Sequence, residues 1–197
     1  MVVEGLRERS KARRREAILR AAYELFADHG FEATTITDIA EAAEVSRRTV
    51  TLYFPSKLDL AMAHFDACTA RLATALRERE PGRSTVDALE DWLRDEFARR
   101  DALDDLMDRM FDLNPQLKSA CLARMADVLE EGARILAEEK GGTLGDFGPR
   151  MAAAAAAAVI YELGPRPTEA DVDVAMAFLR AGVAALPSAT GTGTETG

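Results

Sequence analysis

Residues 34–57 read TTITDIAEAAEVSRRTVTLYFPSK, from Thr34 to Lys57. Ile36, Ile39, Ala40 and Ala43 recur at helical spacing, the run Ala43-Glu44-Val45-Ser46 breaks the period, and Val50 and Phe54 resume it. This pattern predicts two short helices joined by a tight turn. In such a helix-turn-helix the first helix braces against a sugar-phosphate backbone. The second, Arg47 to Tyr53, lies in a major groove with its early residues facing base edges.

Working outward, 197 residues suffice for a small module fused to a larger one. With 48% apolar and 30% charged residues the composition is that of a globular chain, and no apolar run approaches the roughly 18 to 20 residues of a membrane span. The start, MVVEGLRERSKARRR, lacks the apolar stretch of a secretory signal, which predicts a cytoplasmic location. Cys68 and Cys121 are too few for a disulfide framework and suit a reducing compartment.

The net charge of −9 is unevenly divided. Residues 1–57 hold ten Lys/Arg against nine Asp/Glu (net +1), and the remainder fifteen against twenty-five (net −10). Residues 1–20 alone carry seven basic side chains, Arg13 among them, against three Glu, a local excess suited to phosphate contact. The acidic body would turn the basic end towards a polyanion.

No strand alternation competes with the helical periodicities, so the fold is expected to be all-α. Residues 1–9 read as an arm, and a first helix runs from near Ser10 to His29-Gly30, where His29 suits the helix's negative end. Five hydroxyl–acid pairs resemble capping boxes: Thr35 with Asp38, Ser56 with Asp59, Ser84 with Asp87, Thr143 with Asp146, and Thr168 with Asp171. A long fourth helix carries Leu58, Met62, Phe65, Cys68, Leu72 and Leu76 and stops before Pro81-Gly82. Further helices fit 85–99, 102–111, 115–140, 148–163 and 168–186, and the polar SATGTGTETG at 188–197 reads as a disordered tail. The expected division is therefore a DNA-binding module at 1–54, a larger helical module at 55–187, and the tail.

The last two helices are apolar on more than one side. Val172, Met176, Leu179 and Val183 make one face of the final helix, and Val174, Phe178, Ala181 and Ala185 another. A helix apolar nearly all round is buried on more than one side, which predicts that a second copy of the chain covers the second face. Ala155 and Val159, in the alanine-rich helix before it, are expected to join that interface, since small residues allow close helix approach.

These residues resemble the tetracycline-repressor (TetR) family of bacterial transcriptional regulators. The resemblance is strongest over Arg14 to Leu60. It rests on Phe26-Ala27-Asp28-His29-Gly30-Phe31, Thr34-Thr35-Ile36, Ile39-Ala40, Val45-Ser46, Thr49, Tyr53-Phe54, Ser56-Lys57 and Leu60. The family usually has Gly where this chain has Glu44, so the turn must form without glycine's freedom. Carried over by position, the resemblance implies that Arg47, Arg48, Thr49 and Thr51 face bases, while Thr35, Thr37, Tyr53 and Lys57 hold phosphates. The chemistry agrees: Arg forks onto guanine, and Thr offers a hydroxyl and a methyl. Lys57 adds its charge to a helix N-terminus, and Ser46 is the expected N-cap of the recognition helix.

The resemblance further implies a homodimer on a double-stranded DNA operator, a repressor released when a small molecule occupies the larger module. Phe65, Trp92, Phe97, Met107, Met110, Phe111 and Met125 are the candidates to line that apolar cavity. His64 and Cys68 lie four apart on one helical face, but two potential ligands without a third do not make a metal site. No cofactor motif is present, and no membrane partner is expected. Two rival readings are a helical dimeric adaptor without DNA binding, motivated by Glu44 and the pI near 4.9, and a small soluble enzyme. The enzyme reading has little support, with two histidines, no glycine-rich phosphate loop and no nucleophile elbow.

Overall fold

The computed structural model describes residues 2–187, all of whose regular structure is helical. In chain order the elements are α1 (Val2–His29), α2 (Ile36–Ala42), α3 (Arg47–Tyr53), α4 (Lys57–Arg77), α5 (Thr85–Ala98), α6 (Ala102–Leu113), α7 (Leu117–Glu139), α8 (Phe147–Leu163) and α9 (Glu169–Ala184). The all-α expectation holds, and the helix ends fall within a few residues of their sequence signals everywhere except at the start.

There, α1 begins at Val2, so the segment expected as an arm is helical. Leu, Glu, Arg and Lys are strong helix formers, and residues 7–14 are exposed, so this first stretch rests on propensity rather than packing. The tail expected at 188–197 lies outside the described residues.

The hydroxyl–acid signals act where expected, with one exception. Thr35, Ser84 and Thr168 form complete capping boxes with Asp38, Asp87 and Asp171, and Ser56 Oγ accepts from the Asp59 backbone N–H. Thr143 instead bonds Asp146 in the turn ahead of α8, whose N-cap is Asp146 itself. A further box, Asp101 with Asp104, opens α6. It escapes a hydroxyl-based reading because an aspartate takes the place of Ser or Thr.

The chain packs as two units, each discontinuous in sequence: Met1–Ala67 with Arg100–Leu122, and Cys68–Arg99 with Ala123–Gly197. In the first, Ile18, Tyr23, Phe26, Ile39, Val50, Leu60, Met62 and Met110 are wholly buried in one core. Helix α6 packs along α1 and closes this core. Asn114, at the end of α6 and 1% exposed, fastens it. Its carbonyl oxygen accepts the Phe31 backbone N–H (2.6 Å), and its amide donates to the carbonyls of Phe26 and Met110 (2.8 Å each).

Also in this unit, His64 Nε2 meets Asp104 Oδ1 at 2.7 Å, and the His64 backbone N–H donates to the Tyr23 hydroxyl. Burial acts to raise the Asp104 carboxyl, but the Asp101 backbone N–H and His64 outweigh it and hold Asp104 below its ordinary range. Burial pushes the Tyr23 phenol up.

The second unit has an aliphatic core of Leu72, Leu76, Val86, Leu89, Leu93, Ile135, Val172, Met176 and Leu179. Its polar ties lie at the rim. Arg94 joins Glu90 of α5 to Glu169 and Asp173 at the start of α9, and Arg180 of α9 reaches back to Asp87 and Glu90. Glu169, Asp173 and Arg180 thus fix α9 to α5.

Candidate functional site

Helix α3 is short, and its placement follows from few residues. Ser46 is the N-cap, its Oγ accepting the Thr49 backbone N–H at 3.0 Å, as expected. Val50, fully buried, and Phe54, 3% exposed, anchor the inner side. The Arg15 guanidinium of α1 sits 5.2 Å above the Phe54 ring, a contact with no local sequence signal. Arg47, Arg48 and Thr51 are exposed and Thr49 is half-buried, so all four residues expected at bases reach the surface of one helix.

The hydroxyls of that surface are already engaged. Thr49 Oγ1 shares a 2.8 Å bond with Ser46 Oγ, and Thr51 Oγ1 donates to the carbonyls of Arg47 and Arg48. What remains to face outward is guanidinium and hydrocarbon. Leu52, which the sequence reading passed over, is 81% exposed.

The turn before α3 is a Schellman motif. The Val45 N–H bonds the Ala40 carbonyl (2.9 Å) and the Glu44 N–H that of Glu41 (3.1 Å). Glu44 takes the left-handed position at φ +53°, where glycine is the usual occupant. That conformation costs an L-residue about 1 to 2 kcal/mol.

Of the residues expected at phosphates, Thr35 and Arg13 are exposed, while Thr37 and Tyr53 are half-buried. The Thr35 hydroxyl is occupied by its capping box with Asp38. Lys57 is placed differently from its expected role. Its Nζ donates to the carbonyls of Phe31 (2.6 Å), Thr34 (3.0 Å) and Glu32 (3.2 Å), and lies 4.4 Å from the Phe31 ring centroid. An ammonium has three N–H donors, and all three are spent on the α1–α2 loop. Lys57 staples that loop and has no donor left for a phosphate.

The second unit holds an apolar cavity of about 70 Å³ among α4, α5, α7, α8 and α9. Leu72, Leu76, Leu89, Val128, Leu129 and Ile160 form much of its wall, with Ala152, Ala153, Ala156 and Ala157 of the alanine run. Thr85 brings the one hydroxyl among the lining residues, and that hydroxyl bonds the Glu139 carboxylate.

Of the seven side chains expected here, only Met125 lines the cavity. Met107, Met110 and Phe111 belong to the first unit, where their i, i+3, i+4 stripe packs in the core that α6 shares with α1. Phe65 is half-buried within the first unit's stretch of α4. Trp92 and Phe97 pack against the second core, with Trp92 turned to an open groove bordered by Arg71 and Glu96. Most of the methionines and aromatics expected at the cavity pack in or against cores instead, and the cavity is walled by small and branched aliphatics.

The face of α9 expected at an interface is bare, with Val174 71% and Phe178 63% exposed and Ala181 and Ala185 exposed beside them. On α8 the register differs by one position. Val159 packs into its own core and Ala155 is half-buried, while Met151, Ala154, Ala158 and Tyr161 are exposed. Ala153, Ala156 and Ile160 fill the inward side, so the outward stripe falls on the next residues round the helix.

Comparison with known proteins agrees with this architecture. Residues 18–63 match the family described as bacterial regulatory proteins, tetR family. The HTH-type transcriptional regulator TcmR of Streptomyces glaucescens is 35% identical over 165 residues, covering 79% of this chain and 73% of TcmR. GusR of Salmonella enterica has a solved structure with a TM-score of 0.62 at 24% identity, covering 87% of this chain and 95% of that one. The TetR-family repressor FadR of Thermus thermophilus, solved in complex with lauroyl-CoA, gives 0.54 at 28% identity, covering 91% and 100%. The chain belongs to the TetR family of bacterial transcriptional regulators. It is thus a DNA-binding regulator, and the enzyme reading falls away.

Proposed function

We propose that the chain is a homodimeric repressor that acts in the cytoplasm and leaves an inverted-repeat operator when a small apolar effector occupies the second unit. Functionally, residues 1–54 hold DNA, with Arg47, Arg48, Thr49 and Thr51 at bases and Thr35, Thr37, Tyr53 and Arg13 at phosphates. Residues 55–187 dimerise and bind the effector. Two-fold symmetry calls for two half-sites centred about 34 to 36 Å apart, or a multiple of it.

The observation that carries this reading is the outward face of α3, where two arginines stand exposed opposite the buried Val50. The bare stripe of α9, Val174, Phe178, Ala181 and Ala185, supports the second copy, because a soluble monomer seldom leaves large apolar side chains contiguous and uncovered. An uncharged wall with its only hydroxyl engaged favours an apolar effector, and the acyl chain of the lauroyl-CoA in the FadR complex is one chemistry such a wall suits.

A cavity of about 70 Å³ is far below the roughly 300 to 1,000 Å³ of sites for drug-sized ligands. The effector therefore selects a form in which α8 has moved from α5 and α7, and that differential fit supplies the regulatory energy. Coupling of about 1 to 3 kcal/mol would weaken DNA binding roughly 5- to 150-fold.

Selection of bound DNA from a random duplex pool, followed by titration in salt, tests the reading. An inverted repeat should emerge, with log K falling against log salt at a slope near −5 if about six phosphates are neutralised per dimer. Recovery of no preferred sequence, or a flat salt response, would reject it.

A further inference from the structure

We infer that Leu52 reads thymine. It gives the recognition surface an apolar edge that seats the 5-methyl group of the base, beside arginines suited to guanine. The inference rests on α3 being the DNA-reading helix, as proposed above, and adds a sequence preference to it.

Helical geometry sets the placement. At 3.6 residues per turn, Arg48 and Leu52 project about 160° and 200° round from Val50. They are the outermost pair on the side opposite the core, four residues apart and neighbours on one face. Leu52 is 81% exposed and contributes nothing to the core of its own unit, while Val50 is fully buried and Phe54 nearly so.

A leucine there gains nothing from water. Its neighbours Arg47 and Arg48 give the face a positive charge that suits a polyanion. Thr51, one residue before Leu52 and about 100° round the helix from it, flanks Arg48 on the other side. Its hydroxyl is turned back onto the carbonyls of Arg47 and Arg48, which leaves the methyl as its outward contribution. In the major groove the thymine 5-methyl is the one apolar feature that distinguishes a base, and apolar side chains recognise it by contact.

The test uses the duplex most enriched from a random pool by the full-length protein, remade with each thymine in turn replaced by deoxyuridine, which removes only the methyl. At one or two thymines per half-site, the wild-type protein should lose about three- to fivefold in affinity for each methyl removed, the worth of one buried methyl-sized group. Leu52→Ala should bind the thymine duplex correspondingly less well and no longer distinguish it from the deoxyuridine form.

Because Leu52 is exposed, the helical circular dichroism and melting temperature of Leu52→Ala should match wild type. Wild-type indifference to every thymine-to-deoxyuridine change overturns the inference, as does a loss that persists unchanged in Leu52→Ala, while leaving DNA binding by α3 intact. Enrichment of no duplex overturns that reading as well.

Discussion

The cores of the two units are built on different terms. In the first, Tyr23, Phe26, Met62 and Met110 are shut away completely, and directional polar ties reach inside: Asn114 on three backbone groups, Lys57 on three carbonyls, His64 on Asp104. In the second, leucines, valines and alanines line a half-open pocket, and the ties are arginine–carboxylate pairs around the rim. Hydrogen bonds inside a core admit one arrangement, whereas aliphatic contacts and solvated ion pairs can slide. The DNA-reading unit is thus made to hold its shape and the cavity-bearing unit to yield.

The sharpest way to break that contrast is Asn114→Ala. It orphans the buried Phe31 N–H and leaves a gap between α6 and α1, and should cost about 3 kcal/mol. The first unit should melt earlier in chemical denaturation, and operator binding should fail with it. Survival of both would mean that the internal ties are ornamental.

Matched insertions come next in size. Ala22→Val, at a fully buried position of the first core, should destabilise by about 1 to 3 kcal/mol through overpacking. Ala156→Val, pointing its added carbons at the cavity, should be neutral or stabilising by up to about 1 kcal/mol, because burial of methyl groups outweighs the lower helix propensity. Equal losses for both would erase the distinction.

The first unit also has one position that works against its rigidity, Glu44 with its left-handed backbone. Glu44→Gly should raise stability by about 0.5 to 1 kcal/mol, since relief of the left-handed penalty exceeds glycine's added chain entropy. Removing the charge should also tighten DNA binding, measurable as a lower Kd at fixed salt.

The smallest effect concerns the rim. Hydrogen bonding from Arg180 and then from Ser84 holds Asp87 at about 2, below its ordinary 3.8. A carboxyl with a folded value below its unfolded one stabilises fully above the unfolded value and loses that contribution as pH falls through the folded one. The window therefore runs from about pH 4 down to about pH 2. Arg180→Met should flatten the fall of melting temperature across that window while shifting it only slightly near neutrality, as for an exposed pair.

Much of this design is legible in the sequence, but unevenly. The helix-turn-helix, the N-cap Ser46 and the buried Val50 and Phe54 follow from local period and capping chemistry, which short segments carry by themselves. The bare face of α9 is equally legible, because an apolar stripe on both sides of one helix needs no knowledge of its neighbours. The inward turn of Lys57 is not, since it depends on where three carbonyls of a distant loop come to lie. Nor is Asn114, a lone polar residue with two of its three backbone partners more than 80 positions away. Methionines and aromatics are the natural candidates to line a cavity, yet these are the residues that fill space best. What leaves a pocket open is a run of alanines too small to fill it.

A half-open pocket walled by hydrocarbon, its one hydroxyl already engaged, gives water few partners and so amounts to poorly filled volume. Compression favours whichever state abolishes such volume. Under rising hydrostatic pressure the helices round the alanine run should therefore give way while the recognition helix still stands.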